Sequence, residues 1–218
     1  MAGPAIRAWE MAKALSEVAN VRLISVKQAS VAHDDFLVLK ATDAELRAHA
    51  AWSDVVVAQG EVFSLHPWIV DLEKVIVADV YDPLHLEALE SAKDEGPEER
   101  RFLVRYCEDT LSIQLRRADF ILCASEKQRD FWLGHLGSLD RISPETYDDD
   151  RSLRNLITVV PFGVPEAPPK QIRHGIKGVV PGISADDKVI LWGGGVYNWF
   201  DPLTLLHAVA RLARKHPE

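Results

Sequence analysis

Apolar residues occur in short blocks along the chain, and most of these blocks have the character of buried strands. Six runs are rich in Val, Ile, Leu and Ala, and they cover residues 21–26, 36–40, 54–59, 74–80, 118–124 and 156–160. Several are almost continuously apolar, as expected for strands that are covered on both faces of a parallel sheet. Helical periodicity separates some of them, so the order of elements predicts a doubly wound, Rossmann-like α/β fold.

Three helices are predicted in the same part of the chain. The first follows Gly3-Pro4, where the fixed φ of proline suits a helix start. Its apolar positions recur every third residue, and they are Ile6, Trp9, Ala12, Leu15 and Val18. The other two helices run from Glu98 to Leu115 and from Glu126 to about Leu136. The acidic segment 140–154 is expected to be a solvated excursion on the surface.

Proline and glycine become dense after the sixth predicted strand. Four of the twelve prolines lie within residues 161–169, and seven of the twelve glycines lie within residues 163–195. Such a stretch suits neither a regular helix nor a central strand, so a domain boundary is expected near residues 163–172. We therefore predict a first domain at 1–165, a linker at 166–187 and the start of a second domain at 188–218.

The second domain is predicted to open with a buried strand at 188–192, a glycine turn and a helix that begins at Asp201-Pro202. In a doubly wound fold, a turn such as the one at Gly3 normally follows a strand. A single βα unit cannot bury its own apolar faces. We therefore expect a first sheet that lacks its first strand, followed by the first βα unit of a second Rossmann-like domain, in a protein about twice as long.

Charge and hydropathy exclude several classes of protein. The formal net charge is −8, from 25 Lys and Arg against 33 Asp and Glu. Nucleic-acid binding relies on clustered Lys and Arg, and since the sequence has no such stripe, no nucleic-acid partner is expected. No apolar run approaches the ~20 residues that span a bilayer, and the beginning of the sequence lacks a secretory pattern. A cytoplasmic location is therefore expected.

The cysteines and histidines indicate no metal centre. Cys107 and Cys123 are the only cysteines, and Cys123 lies in an apolar run, where a core role is expected instead of a nucleophilic one. The eight histidines are scattered, without a pair at metal-ligand spacing beside a carboxylate motif. We therefore expect no bound metal and no resident cofactor.

Two glycine turns are candidates for binding a phosphate. Gly193, Gly194 and Gly195 stand between the predicted strand and helix of the second domain, where backbone N–H groups and the helix dipole favour an anion. They do not complete the dinucleotide fingerprint, because Asn198 stands where the third glycine is required. A plain tight turn between strand and helix is the alternative.

The second candidate turn is Ala2-Gly3-Pro4 before the first helix. Arg7 lies one turn inside that helix and would add a positive charge beside a bound anion. A glycine and a proline at this place are equally compatible with a plain helix start.

Polar residues follow two of the predicted strands. Asp82 and His85 come after the strand at 74–80, where the ligand crevice of an open α/β sheet lies, although Asp82 can also cap a helix. Ser125 and Glu126 follow the strand at 118–124. Ser125 has the residue type of a helix N-cap, and no G-x-S-x-G sequence surrounds it, so a hydrolase nucleophile is not expected.

Five segments in the same order resemble glycosyltransferase family 4, a family with the two-domain GT-B architecture. Each segment is short, and together they are spread along most of the chain, from Gly3 to Gly195. The segments are Gly3-Pro4-Ala5-Ile6-Arg7-Ala8-Trp9-Glu10, Ala78-Asp79-Val80-Tyr81-Asp82-Pro83, Cys123-Ala124-Ser125-Glu126, Val159-Val160-Pro161-Phe162-Gly163-Val164 and Leu191-Trp192-Gly193-Gly194-Gly195.

The resemblance implies transfer of a sugar from a nucleotide-sugar donor to a saccharide, lipid or other small-molecule acceptor, with retention and without a metal. The resemblance is also compatible with peripheral membrane contact by the complete protein. By position it implies that Gly3, Pro4 and Arg7, with Gly193, Gly194 and Gly195, bind the donor. Asp82 and His85 would be catalytic, and Tyr81, Ser125 and Glu126 would line the cleft beside the acceptor.

The sequence departs from the family pattern in two ways. The segment after Gly195 carries no Arg or Lys to grip the diphosphate. The paired glutamates that hold the donor in the family belong further along than Glu218. We therefore expect the chain to hold most of an acceptor domain, little of a donor domain, and no turnover by itself. A GT-B nucleotide-sugar epimerase and a non-catalytic binding module are the alternatives.

Overall fold

A computed structural model describes residues 3–164, 167–198 and 200–216. The described chain divides into two units. The first runs up to Leu84 and continues over Arg105–Phe162, while the second holds His85–Val104 and the residues from Gly163 onward. The second unit thus includes residues 85–104, which we assigned to the first domain from the sequence. The domain boundaries themselves stay a prediction.

The first unit contains two parallel sheets. The smaller sheet pairs β1 with β2, and the larger has the order β3-β4-β5-β6, with every pairing parallel. The strands are β1 (Arg22–Ser25), β2 (Leu37–Lys40), β3 (Val55–Gln59), β4 (Val75–Asp79), β5 (Phe120–Cys123) and β6 (Ile157–Val159). Each lies inside one of the six predicted runs, so the parallel α/β class is confirmed.

Helices connect the strands. They are α1 (Gly3–Ser16), α2 (Asp43–Trp52), α3 (Val62–Leu65), a 3₁₀ helix (Pro67–Asp71), α4 (Leu84–Ser91), α5 (Pro97–Arg117), α6 (Glu126–Ser138), α7 (Pro144–Asp149) and α8 (Pro202–Lys215). The predicted helices correspond to α1, α5, α6 and α8. The helix α2 was not predicted, although Thr42 and Glu45 form a capping box at its start, and α7 inside the acidic surface segment was not predicted either.

The core of the first unit lies between β3–β6 and the helices α5 and α6. Its fully buried side chains include Ile76, Leu111, Leu115, Ile121, Trp132, Leu136 and Ile157. Trp132 is 0 % exposed, and its Nε1 donates to the carbonyl oxygen of Val80 at 3.0 Å, so the indole is buried without losing a hydrogen bond.

The buried face of α1 differs from the prediction. Arg7 and Ala12 are buried, whereas Ile6, Leu15 and Val18 are 44 %, 42 % and 83 % exposed. A spacing of three residues falls about 60° short of a full turn at each step, so five such positions spread around most of the helix instead of lining one face. Val18 also lies beyond the end of α1.

The predicted strand at 188–192 is wrong. Residues 188–192 form no strand with any part of the described chain, and Ile190 and Leu191 are 56 % and 69 % exposed. A strand needs hydrogen bonds from a neighbouring strand, and none is provided here. The helix α8 is confirmed, and Asp201 caps it by accepting a 3.0 Å hydrogen bond from the Thr204 amide. None of the residues of α8, all of them described, is buried.

Candidate site at the carboxyl edge of the sheet

The carboxyl ends of β3–β6 meet at one edge of the larger sheet, because all four strands are parallel. We call this the carboxyl edge. Tyr81 and Asp82 follow β4 there, and Ser125 and Glu126 follow β5. Gly60 follows β3 directly and has a φ of 63°, a backbone conformation that favours glycine. Four of the site residues predicted from the sequence therefore do lie at one edge of the fold.

The beginning of α1 also reaches this edge. Gln59, the last residue of β3, donates from Nε2 to the carbonyl oxygen of Pro4 at 3.0 Å. Gly3 and Pro4 are exposed, and a Cβ added at Gly3 would meet no atom within 4 Å. The first N–H groups of a helix have no acceptor within the helix, so the start of α1 presents partial positive charge at the carboxyl edge. Ala2, part of the predicted turn, lies outside the described residues.

Arg7 forms a buried ion pair that was not predicted. Its Nε donates to Asp79 Oδ2 at 2.7 Å, its Nη2 to Asp79 Oδ1 at 2.8 Å and its Nη1 to the carbonyl oxygen of Val160 at 2.8 Å. The Arg7 and Asp79 side chains are only 2 % and 0 % exposed. This two-pronged pair fixes α1 to the ends of β4 and β6, since each atom has one defined partner.

Two aromatic rings enclose the same guanidinium. Its central carbon lies 5.1 Å from the ring centre of Tyr81 and 5.0 Å from that of Phe162, and the two rings meet edge to face at 5.4 Å. Phe162 is 50 % exposed, so its outer side is open to solvent. Arg7 was expected to offer a positive charge to the donor, but here Asp79 neutralises that charge. Donor binding by Arg7 stays a prediction.

Gln128 ties the ends of β4 and β5 together. Its Oε1 accepts from the Ala124 amide at 2.8 Å, and its Nε2 donates to the carbonyl oxygen of Tyr81 at 2.8 Å. Ser125 is the N-cap of α6, because its hydroxyl accepts from the Gln128 amide at 3.2 Å. Glu126 is exposed and pairs with Arg154 at 2.9 Å. Gln128 thus sets the position of the backbone on which Tyr81 and Ser125 stand.

Asp82 and His85 are close in sequence but belong to different units. Asp82 is partly buried in the first unit, and its carbonyl oxygen accepts a 2.9 Å hydrogen bond from the Leu84 amide. His85 is a partly buried residue of α4 and belongs to the second unit. Their shared catalytic role therefore stays a prediction.

In the second unit, aromatic side chains close on the glycine turn. Trp192 Nε1 donates to the carbonyl oxygen of Gly195 at 2.9 Å, and the Phe200 ring lies 3.6 Å from the place of a Cβ at Gly194. A Cβ at Gly195 would collide with the Tyr197 ring. These contacts give a packing reason for the glycine at 195 alone, because a Cβ at Gly193 would meet no atom within 4 Å and the contact at Gly194 is an ordinary one. Binding of a donor by the three glycines stays a prediction.

An open depression of about 440 Å³ lies elsewhere, lined by residues 32–38. His33 stacks on Phe36 there, with ring centres 4.2 Å apart. Residues 32–36 precede β2, and residues 37 and 38 are its first two, so the depression is at the amino end of that strand. Since ligands of open α/β sheets bind at the carboxyl ends, we assign the candidate site to the carboxyl edge instead.

Cys123, the last residue of β5, has the environment of a core residue. Burial raises the pKa of the Cys123 thiol, and its Sγ donates to the carbonyl oxygen of Thr158 at 3.4 Å, as expected for a core thiol.

Among the described residues, no three His, Cys, Asp or Glu side chains are grouped so that they could hold a metal ion. Within the same residues, no helix has the length and apolar character needed to cross a membrane.

Comparisons of the chain with protein-family models, with curated proteins and with solved structures returned no match.

Proposed function

We propose that the chain is the acceptor-side part of a GT-B glycosyltransferase, which transfers a sugar from a nucleotide-sugar donor to an acceptor. The observation that carries the proposal is the start of α1 at the carboxyl edge, where Gln59 holds Pro4. Polar groups and half-exposed aromatic rings follow β4 and β6 at the same edge. An anion-binding helix start beside aromatic rings is what a nucleotide-sugar and a sugar acceptor require together.

The leaving group explains why a helix start would serve this reaction. Departure of the sugar leaves negative charge on a nucleotide diphosphate, and N–H groups aimed at that charge stabilise it without a metal ion. Gly3 leaves open space for the phosphate, because no side chain stands there. The buried Arg7–Asp79 pair holds α1 in place, which keeps these N–H groups pointed at one position.

The acceptor would lie against Tyr81 and Phe162. Aromatic faces pack well against the C–H faces of sugar rings, and the outer side of Phe162 is open. In the proposal, Asp82 and His85 act at the reacting carbon, and Ser125 and Glu126 line the cleft. In the proposal, Gly193, Gly194 and Gly195 also contact the donor.

Binding of nucleotide diphosphates tests the proposal. UDP, GDP and ADP are titrated separately against the chain, followed by backbone amide shifts and by the melting temperature. We expect millimolar or tighter binding of at least one nucleotide, with the largest shifts at the amides of residues 5–8. No response to any of the three at 10 mM, a concentration of about ten times the weakest expected Kd, would contradict the proposal.

A pair of variants on one helix locates the binding. Ala5 and Ala14 are both exposed residues of α1, at its beginning and near its end. Ala5→Glu places a negative charge among the N–H groups and should weaken nucleotide binding by roughly fivefold to tenfold. Ala14→Glu is the control and should leave the affinity unchanged. Equal effects of both variants would mean that the nucleotide does not bind at the start of α1.

A non-catalytic binding module is the second candidate. It is favoured by the exposure of residues 189–192 and by the neutralisation of Arg7, since both remove expected donor contacts. Sugar transfer to any acceptor would exclude it, and so would hydrolysis of a nucleotide-sugar. A protein that binds none of the nucleotides, with an intact fold by circular dichroism, would favour it over the enzyme.

A further inference from the structure

His66 and Asp43 form a hydrogen-bonded pair that lies outside the candidate site. Asp43 is the first residue of α2, and His66 lies between α3 and the 3₁₀ helix. His66 Nδ1 is 2.7 Å from Asp43 Oδ1. Hydrogen bonds, that of the Trp68 indole first, lower the pKa of Asp43 to about 2, so at neutral pH the carboxylate is ionised and only accepts. The proton is therefore on His66 Nδ1, and the lone pair of the neutral ring is on Nε2.

The backbone is fixed on both sides of this pair. Thr42 and Glu45 form the capping box that defines the start of α2. On the other side, Phe63 and Ile69 are 1 % and 2 % exposed, so the segment that carries His66 is anchored in the core before and after it. An imidazole that is held in this way by backbone and carboxylate keeps one orientation.

The Nε2 atom of His66 is open to a reactant. It has no hydrogen-bond partner in the described chain and is not one of the enclosed polar atoms there, although the side chain as a whole is only 13 % exposed. An imidazole whose Nδ1–H is bound to a carboxylate acts in proteins as a metal ligand, a general base or a nucleophile.

Two of these three functions lack the groups that they need. A metal site requires further ligands, and no suitable group of three side chains exists within the described residues. A base that activates a serine requires its hydroxyl at hydrogen-bond distance, and the nearby Ser64 is instead bonded to Thr110 at 2.8 Å. Attack by Nε2 itself is the function that requires no further protein group.

Arg47 indicates which electrophile fits beside this nitrogen. Its Nε donates to Asp43 Oδ2 at 3.0 Å, and its central carbon lies 4.4 Å from the ring centre of Trp68. The guanidinium is thus held on the same carboxylate that orients His66. Its Nη groups have no partner within the described chain, and the side chain is 53 % exposed. Because guanidinium N–H groups match the oxygens of a phosphoryl group, the arrangement favours an anionic, phosphorus-centred electrophile.

We propose that His66 accepts a phosphoryl group on Nε2 from a small phosphoryl donor, with Asp43 orienting the ring and Arg47 contacting the phosphoryl oxygens. With phosphoramidate as the donor, the lone pair of Nε2 forms the bond to phosphorus, and the electron pair of the phosphorus–nitrogen bond leaves with ammonia. The Nδ1 proton stays in its hydrogen bond, and the carboxylate balances the positive charge that the ring gains. The proposal is independent of the glycosyltransferase proposal, since it uses none of the residues assigned there.

The experiment incubates the chain with phosphoramidate and locates the phosphoryl group by fragment mass spectrometry. His207 of α8 is the internal control, because it is exposed and forms no ion pair within the described chain. Exposure alone would make His207 the faster of the two. We expect instead that His66 is phosphorylated at least about tenfold faster than His207. A rate at His66 that is no higher than the rate at His207 would overturn the proposal.

Two substitutions on α2 test the contribution of the carboxylate. Asp43→Asn removes the charge that holds the Nδ1 proton and should lower the rate at His66 by about tenfold. Glu45→Gln is the matched control, because Glu45 is an exposed carboxylate of the same helix that bonds to Thr42 instead, and it should leave the rate unchanged. Circular dichroism verifies the fold of both variants. An equal loss of rate in the two would contradict an orienting function of Asp43 and overturn the proposal.

Arg47→Gln separates phosphoryl transfer from a generally reactive imidazole. The variant should lower the rate with phosphoramidate by about fivefold, because the phosphoryl oxygens lose a charged donor. Modification of His66 by diethyl pyrocarbonate, an uncharged reagent that reacts with imidazole nitrogen, should keep its rate. An equal fall with both reagents, or no fall with phosphoramidate, would overturn the assignment of a phosphoryl group to this site.

Discussion

Two apolar runs of similar composition adopt different structures in this chain. Residues 120–123, Phe-Ile-Leu-Cys, form β5 between β4 and β6, and Ile121 and Cys123 are fully buried. Residues 189–192, Val-Ile-Leu-Trp, form no strand within the described chain, and they are between 37 % and 69 % exposed. The difference is the neighbours: β5 has a parallel strand on each side and helices to cover it. Apolar composition therefore makes a strand only where other strands complete its hydrogen bonds.

Among the substitutions in the region around β5, those in the buried Arg7–Asp79 ion pair should reduce the stability most. Arg7→Leu leaves Asp79 buried without a counter-charge, so the free energy of unfolding should fall by about 3–5 kcal/mol in a urea titration. Lys13→Leu is the control on the same helix, because the Lys13–Glu10 pair is exposed, and it should cost less than about 0.5 kcal/mol.

The double variant Arg7→Leu/Asp79→Leu should recover most of the loss. It removes both charges and leaves no unpaired carboxylate in the core. A loss of less than 1 kcal/mol for Arg7→Leu alone would contradict the burial of the pair.

Matched isoleucines compare the two apolar runs directly. Ile121→Ala removes a side chain that is 0 % exposed and should destabilise the protein by about 2–5 kcal/mol. Ile190→Ala changes the same residue type at 56 % exposure and should stay within about 0.5 kcal/mol. Urea midpoints of both variants give the measurement. Similar losses for the two would mean that residues 189–192 are packed as a core strand.

The N-cap residues of α6 and α8 also compare the two regions, with smaller expected changes in the free energy of unfolding. Ser125→Ala removes the cap of α6, which packs in the core through Trp132, and should lower the free energy of unfolding by about 1 kcal/mol. Asp201→Ala removes the cap of α8, a helix without a buried residue, and should leave the global transition unchanged. Its effect should be faster amide exchange within residues 202–208. A shift of the global transition by Asp201→Ala would show that α8 folds together with the core.

The exposed aspartates Asp43 and Asp201 should differ in how much they contribute to the loss of stability in acid, and this difference should be smaller than the effects of the substitutions above. Hydrogen bonds from the Trp68 indole, His66 and Arg47 lower the pKa of Asp43 from 3.8 to about 2. The ionised form is favoured in the folded state, so this stabilisation is complete above pH 4 and is lost as the pH falls towards 2. Asp43→Asn should therefore flatten the decline of the urea midpoint between pH 5 and pH 3.

Asp201 is the control for this titration. The Thr204 hydroxyl lowers the pKa of Asp201 as well. Because α8 is not buried, Asp201→Asn should leave the acid dependence of the global midpoint unchanged. An equal flattening by both variants would contradict the difference between the two regions.

The parts that sequence reasoning predicted correctly are those in which neighbouring residues decide the structure. The strands β1–β6 were predicted from continuous apolar runs, and α5 and α6 from their periodicity. The pairing of Arg7 with Asp79 was missed because 72 residues separate the partners. A signal was present, since Asp79 is a single charge at the end of the run Val75–Ala78. Such a charge in a buried strand needs a partner from elsewhere in the chain.

The predictions that were wrong depended on contacts between parts of the chain that are distant in sequence. Residues 188–192 have the composition of a buried strand, but composition carries no information about whether a neighbouring strand is present. The apolar stripe of α1 was placed on positions three apart, which move steadily around the helix, whereas the buried residues are Arg7 and Ala12. The start of α1 was recognised as a candidate site, but its distance from β3 was unknown until Gln59 was seen to bind Pro4.

Amide hydrogen exchange of the unmodified chain tests the central comparison most directly. Exchange is followed residue by residue for β5 and for residues 189–192 in a protein shown to be monomeric. We predict that the β5 amides exchange at least a thousandfold more slowly, because they open only with the core, while residues 189–192 exchange close to the unprotected rate. Equal protection of the two segments would contradict the account, since residues 189–192 would then be a paired strand.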